Sequence, residues 1–197
     1  PSVDLTGLDL PVVYVFSQGG TDGALTLLPD DEGGARLAVE HLLAQGRRRI
    51  AHVTGPENFE AVQLRARGWR AVLDAAGCAP GPLMHGNWSE AWGREAMTQL
   101  LAGDRPDAVF CGNDQIARGC ADVLRERGLA CPADVALVGF DNWGVMAEAC
   151  RPALTSVDMN LTALGAEAGQ RMTEMIKGVP HSGNVRLPCT LVVRESS

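Results

Sequence analysis

Two strand ends carry the side chains with the most chemistry to offer. In PDAVFCGNDQIARG, residues 106–119, the apolar run Ala108–Cys111 stops at Gly112-Asn113-Asp114, and an amphipathic helix pattern follows. Farther on, the run Val135–Gly139 stops at Phe140-Asp141-Asn142-Trp143. Trp88 follows a third apolar segment, Leu83–Gly86, and Gly55 a fourth, Ile50–Thr54. Arg65 joins this set if the loop over residues 57–62 lets its helix begin near the same edge. One guanidinium, one amide, one or two carboxylates and an indole suit a polyhydroxylated ligand. Carboxylate and amide accept from or donate to hydroxyls, arginine donates a fork, and tryptophan offers a flat face to the C–H side of a sugar ring. Each residue also has an ordinary structural role open to it. Asn113 or Asp114 can cap the helix at Gln115, Asp141 can hold an Asx turn, Trp88 can be core, and Arg65 can be a solvated helix residue. Within the pair, Asp114 is read as the helix cap and Asn113 as the ligand contact.

These positions converge only if the strands run parallel, and the elements around them have that form. Strand patterns at Ile50–Thr54, Leu83–Gly86, Asp107–Cys111 and Val135–Gly139 alternate with helix patterns over residues 60–76, 89–101 and 115–127. Nearly all-apolar strands are buried on both faces, so a parallel sheet covered by helices is expected, with ligands at the carboxyl ends of its strands. Upstream, Val12–Phe16 and Leu25–Leu28 read as strands, Ser17–Gly23 as a loop, and Asp30-Asp31 as acids suited to the dipole of a helix that ends at Gly46. Downstream, a helix with Leu161, Leu164, Ala168, Met172, Met175 and Ile176 is closed by Gly178, and Thr190–Val193 reads as a last strand.

Composition narrows the function classes. A net charge of −7 over 197 residues makes the chain by itself a poor partner for nucleic acid, which needs basic clusters. The run Arg47-Arg48-Arg49 reads as a solvated loop leading into a strand. The six cysteines form no C-x-x-C pair and no zinc spacing, so neither a metal nor a cofactor is expected, and the compartment is read as reducing. Cys111 and Cys120 read as small hydrophobes within a strand and on a helix face, and His52 as a satisfied buried histidine. No stretch approaches a membrane span, and the first residues are not a signal peptide. Enzyme signatures are missing as well, with no G-x-S-x-G elbow, no P-loop and no G-x-G-x-x-G after a strand.

Taken in order, the segments PVVYV, DDEGGARLAVEHLLAQGRRRIAHVTGP, RARGW, PDAVFCGNDQIARG, PADVALVGFDN, RPALTSVD and LVVRESS resemble the effector-binding core of the lactose-repressor family of bacterial transcription regulators. The resemblance runs from about Leu10 to the C-terminus. It implies an α/β fold of the periplasmic-binding-protein-like type I, with two parallel-sheet lobes and a small effector between them. Residues 1–45 and 157–184 would form the N-terminal lobe, incomplete in this chain, and residues 46–156 and 185–197 the C-terminal lobe, the chain crossing near Val185. The helix-turn-helix head, its hinge helix and the first βαβα portion of the N-terminal lobe would lie outside these residues, so operator DNA would be met only through that head.

Family positions carried over one at a time imply Arg65 (of R-x-x-G-[FW], before Gly68 and Trp69), Trp88, Asn113 (of N-D), Asp141 (of G-[FY]-D) and Leu161 as ligand-binding residues. Leu161 stands where the family's lactose-binding member has an aromatic wall, and Gly33 where it has an aspartate. Both departures count against galactoside specificity. The implied protein is a cytoplasmic homodimeric regulator that senses a saccharide-like effector. Its dimer contacts would come from helices starting near Ala91 and Ala117 and from the 145–150 loop, with Ala117, Ala121, Met146 and Cys150 as fitting residues. A secreted sugar-binding protein feeding a transporter is the alternative of the same fold; unpaired cysteines and the GFD and LVVRESS segments weigh against it. An α/β enzyme acting on a sugar or nucleoside, with Asp141 or Asp114 as base, is the third reading, and no acid–base pair can be placed for it.

Overall fold

The computed structural model describes residues 10–17 and 24–197. The expected loop at 17–23 falls, apart from Ser17, outside the described residues. The chain divides into two compact units, one of Pro1–Asp30 with Asn160–Cys189 and one of Asp31–Met159 with Thr190–Ser197.

The smaller unit holds β1 (Val13–Val15), β2 (Leu25–Pro29), β8 (Gly183–Leu187) and helix α6 (Leu161–Ile176). Its three strands pair in parallel in the order β1-β2-β8. Leu25, Leu27 and Leu164 form its core, with Val13, Met175 and Val185 against them. Val185 therefore lies inside a strand, opposite Leu27, and the passage to the larger unit follows Cys189.

The larger unit is a six-stranded sheet in the order β4-β3-β5-β6-β7-β9. Its strands are β3 (Ile50–Thr54), β4 (Leu83–His85), β5 (Ala108–Cys111), β6 (Ala136–Phe140), β7 (Thr155–Asp158) and β9 (Thr190–Val192). All neighbours are parallel except β9, which runs antiparallel to β7. Its helices are α1 (Asp31–Ala44), α2 (Glu60–Ala75), α3 (Glu90–Ala102), α4 (Asp114–Glu126) and the short α5 (Gly144–Ala147). Strands β3, β5 and β6 are buried at every position, as expected of strands covered on both faces. Cys111 and Cys120 sit in this core.

Glycines set how closely the helices approach. A Cβ on Gly68 would stand 2.4 Å from the Glu32 carbonyl oxygen, so α2 crosses the first turn of α1 there. A Cβ on Gly93 would meet the Ile116 carbonyl oxygen, and one on Gly119 that of Glu90, each at 2.1 Å, which locks α3 against α4. The crossing at Gly68 is why α1, placed by the sequence reading with the segment before it, lies in the larger unit.

Several local readings change. Ala117, Ala121, Met146 and Cys150, offered as dimer-face residues, are all buried within the single chain. The side chains left outward nearby include Arg125, Val145 and Glu148. His52 is fully buried with Nδ1 2.9 Å from the Phe110 carbonyl oxygen, but its Nε2 has no protein partner. Burial pushes its pKa down to about 3, so it stays neutral. Arg48 and Arg49 are exposed as expected, whereas Arg47 folds back onto the Pro132 carbonyl oxygen at 2.6 Å.

Candidate functional site at the carboxyl edge of the larger sheet

Parallel strands bring Thr54-Gly55, His85, Gly112-Asn113 and Asp141 to one edge of the sheet. Arg65, in the second turn of α2, is the hub. Its side chain is buried, and Nε and Nη2 lie 2.8 and 2.7 Å from Asp31 Oδ1. Nη1 donates to the Gly112 carbonyl oxygen, and Nη2 points at the Met159 sulfur, 3.9 Å away. The guanidinium carbon lies 3.6 Å from the centroid of the Phe140 ring and 5.8 Å from that of Trp88. One residue thus touches the ends of β5 and β6 and the indole after β4. Gly68 lies three residues on, on the same helix face, and its close crossing of α1 brings Asp31 to the arginine.

Trp88 is partly buried, with Gly55 beneath it: a Cβ there would fall 2.2 Å from Cε2 of the indole. The ring of Phe59 meets it edge-on, centroids 6.1 Å apart.

The cap of α4 is Asn113 and not Asp114, the residue expected there. Asn113 is the N-cap of α4, its Oδ1 accepting from the Ile116 N–H at 2.9 Å. The cap does not use its amide nitrogen. Asp114 is 1% exposed; its Oδ1 accepts from the Ser156 hydroxyl at 2.5 Å and its Oδ2 from the Trp143 N–H at 2.7 Å. It ties the loop after β6 to α4. The carboxylate lies over Gly139, where a Cβ would be 2.3 Å from Oδ1. Burial lifts its pKa to about 6 against the pull of those two hydrogen bonds.

Asp141 follows β6 at φ 105°, a conformation costly for any residue with a Cβ. Its backbone N–H donates to the Val157 carbonyl oxygen at 2.9 Å, which fixes the turn without using the side chain. Burial pushes its pKa up to about 7; Arg65 pulls it down, and the charges of Asp114 and Asp31 push it up. Asn142 is held by both ends: Nδ2 donates to Asp158 Oδ2 at 3.0 Å, and Oδ1 accepts from Arg194 Nη2 at 2.8 Å.

The structure therefore brings Arg65, Trp88, Asn113 and Asp141 together in one unit. Leu161 is in the other unit, the first residue of α6 and 50% exposed. Asp31, Phe140 and Ser156 are the site-building residues that the sequence reading passed over. Asp31 had a signal there only as an acid before a helix, and Phe140 only as the residue before Asp141.

The periplasmic binding protein-like domain family matches residues 39–197. The chain is 34% identical over 168 residues to the lactose operon repressor of Escherichia coli strain K12, covering 84% of this chain and 46% of that protein. It superimposes on the dimeric Lac repressor with an 11-residue C-terminal deletion at a TM-score of 0.86 and 30% identity, covering 96% of this chain and 69% of that one.

The chain belongs to the lactose-repressor family.

Within the family it is also 35% identical over 173 residues to the HTH-type transcriptional regulator CelR of Thermobifida fusca, covering 85% of this chain and 50% of that protein. A structure described as a transcriptional regulator CelR–cellobiose complex aligns at a TM-score of 0.82 and 33% identity, over 94% of this chain and 58% of that one. The chain spans about half the length of the curated relatives it matches. These lactose-repressor relatives are transcriptional regulators by name, and among the described residues no helix is long and apolar enough to cross a membrane.

Proposed function

We propose that this chain is the effector-binding core of a cytoplasmic, homodimeric transcriptional regulator whose effector is a small saccharide held by Arg65, Trp88, Asn113 and Asp141. Operator DNA would be bound through a head outside these residues. The observation that carries the reading is Asp141. Its turn is held without its own side chain, by its backbone N–H and by Asp114 and Asn142, and its carboxylate is left partly buried beside the braced Arg65, an acceptor in search of hydroxyl donors. The indole over Gly55 supplies the stacking face. Binding rather than catalysis fits because Asp114, the other acid at the edge, is consumed by Ser156 and the Trp143 N–H. The absence of disulfides among the six cysteines and relatives named as transcription regulators support the compartment. The effector acts by binding two states of the protein unequally, since a ligand with equal affinity for both shifts nothing.

Tryptophan fluorescence tests this. Titrating the full-length protein with neutral mono- and disaccharides should give a saturable emission change that disappears in Trp88→Phe. No saturable change with any sugar, or an unaltered one in Trp88→Phe, overturns the assignment.

A further inference from the structure

We infer that this site selects its effector by charge, taking an uncharged, hydroxyl-rich molecule and rejecting its phosphorylated counterpart. The inference rests on the effector-site reading above and sharpens it to a ligand class.

Anion binding at the carboxyl edge of a parallel sheet normally draws on two resources, a free arginine and the helix N-termini that point at that edge. Here both are largely spent. Arg65 has five N–H donors in all. Nε and Nη2 face Asp31, Nη1 faces the Gly112 carbonyl oxygen, and Nη2 also approaches the Met159 sulfur. Asp31 sits 2.7 Å from the guanidinium and neutralises it in place. Phe140 occupies one face of its plane.

The helix ends are covered as well. Helix α1 has Asp31 and Glu32 in its first turn, α2 has Glu60, α3 has Glu90 and α4 has Asp114. Ser89 accepts from the Trp92 N–H, and Asn113 from the Ile116 N–H. Each N-terminal dipole is thus met by the chain's own acid.

The balance that remains is negative. Arg65 and Asp31 cancel, Arg194 draws the pKa of Asp114 down, and Asp141 is left with only the shared charge of Arg65 against the carboxylates of Asp114 and Asp31. Among the described residues, the groups open to a ligand are the Asp141 carboxylate, the Asn113 amide nitrogen, the indole face and the one Arg65 N–H that no protein acceptor takes. A hydroxyl can donate to Asp141 and accept from Asn113. A phosphate dianion can accept from Asn113 but has no proton to donate to Asp141, and two anions would then share one partly dehydrated site.

The test is calorimetric titration of the full-length protein at pH 8 with matched pairs: glucose and glucose 6-phosphate, galactose and galactose 1-phosphate, trehalose and trehalose 6-phosphate, cytidine and cytidine monophosphate. The expected result is a pair whose neutral member binds on the order of 100-fold or more tighter than the phosphorylated one. In Asp141→Asn that gap should narrow at least ~10-fold, because the repelling charge is gone. A phosphorylated member that binds as tightly as its neutral partner overturns the charge inference and leaves the effector site standing. So does a gap that Asp141→Asn leaves unchanged. Failure of every pair to bind overturns the effector site itself, and this inference with it.

Discussion

Replacing Asp141 by asparagine should stabilise the protein, and more so as the pH rises. Its carboxyl is raised from 3.8 to about 7, chiefly by burial. Between those values the folded state holds a proton that the unfolded state has lost. The wild type therefore forfeits stability as pH climbs through this window, while the neutral asparagine does not. At about 1.4 kcal/mol per pH unit the ceiling is about 4 kcal/mol once Asp141 is fully ionised. Water reaching the sheet edge reduces this to a working figure of about 2 kcal/mol. For a protein of this size that is a rise in Tm of roughly 4–8 °C at pH 8.5. At pH 5.5 only about half the difference has developed. Asp114, lifted to about 6, titrates in both proteins, so to first order the difference between them isolates Asp141. Thermal melts of the two proteins at pH 5.5 and 8.5 provide the assay. A Tm difference that does not grow with pH, or a variant less stable than the wild type at pH 8.5, refutes the claim that an unfavourably buried carboxylate is retained at this edge for its ligand.

Other substitutions separate scaffold from site. Arg65→Met leaves Asp31 buried without its cation and should cost about 3–5 kcal/mol in urea unfolding; adding Asp31→Leu should recover most of that. Asn113→Ala removes the cap of α4 and should cost about 1 kcal/mol. Asn113→Asp keeps the capping oxygen but loses the amide donor, so it should lose less stability at low pH than at high pH, while sugar affinity falls about 10-fold in calorimetry. Gly55→Ala forces its Cβ to within 2.2 Å of the Trp88 ring, so the indole must move, with a shift in Trp emission and a loss of sugar binding.

Much of the site could be read from the chain because it depends on local signals. An apolar run that halts at Gly112-Asn113 or at Asp141 marks a strand end wherever the strand sits. Parallel pairing then brings those ends together without further information. What could not be read depends on partners far away in sequence. Asn113 and Asp114 are both able to cap α4; the choice is made by Ser156 and the Trp143 N–H, which claim Asp114 across the β6 turn. Asp31 looks like any acid before a helix until α2 crosses α1 at Gly68 and delivers Arg65 to it. The same crossing keeps α1 with the larger unit. The interior positions of Ala117 and Ala121 follow from α3 closing on α4 through Gly93 and Gly119, a depth of packing that small residues on a helix do not announce.

The effector site is tested most directly by calorimetry of the full-length protein with neutral saccharides, comparing wild type with Asp141→Ala and Asn113→Asp. The account predicts that a sugar bound by the wild type is bound at least ~10-fold more weakly by each variant, while both remain folded by circular dichroism. Undiminished affinity in both folded variants would contradict it.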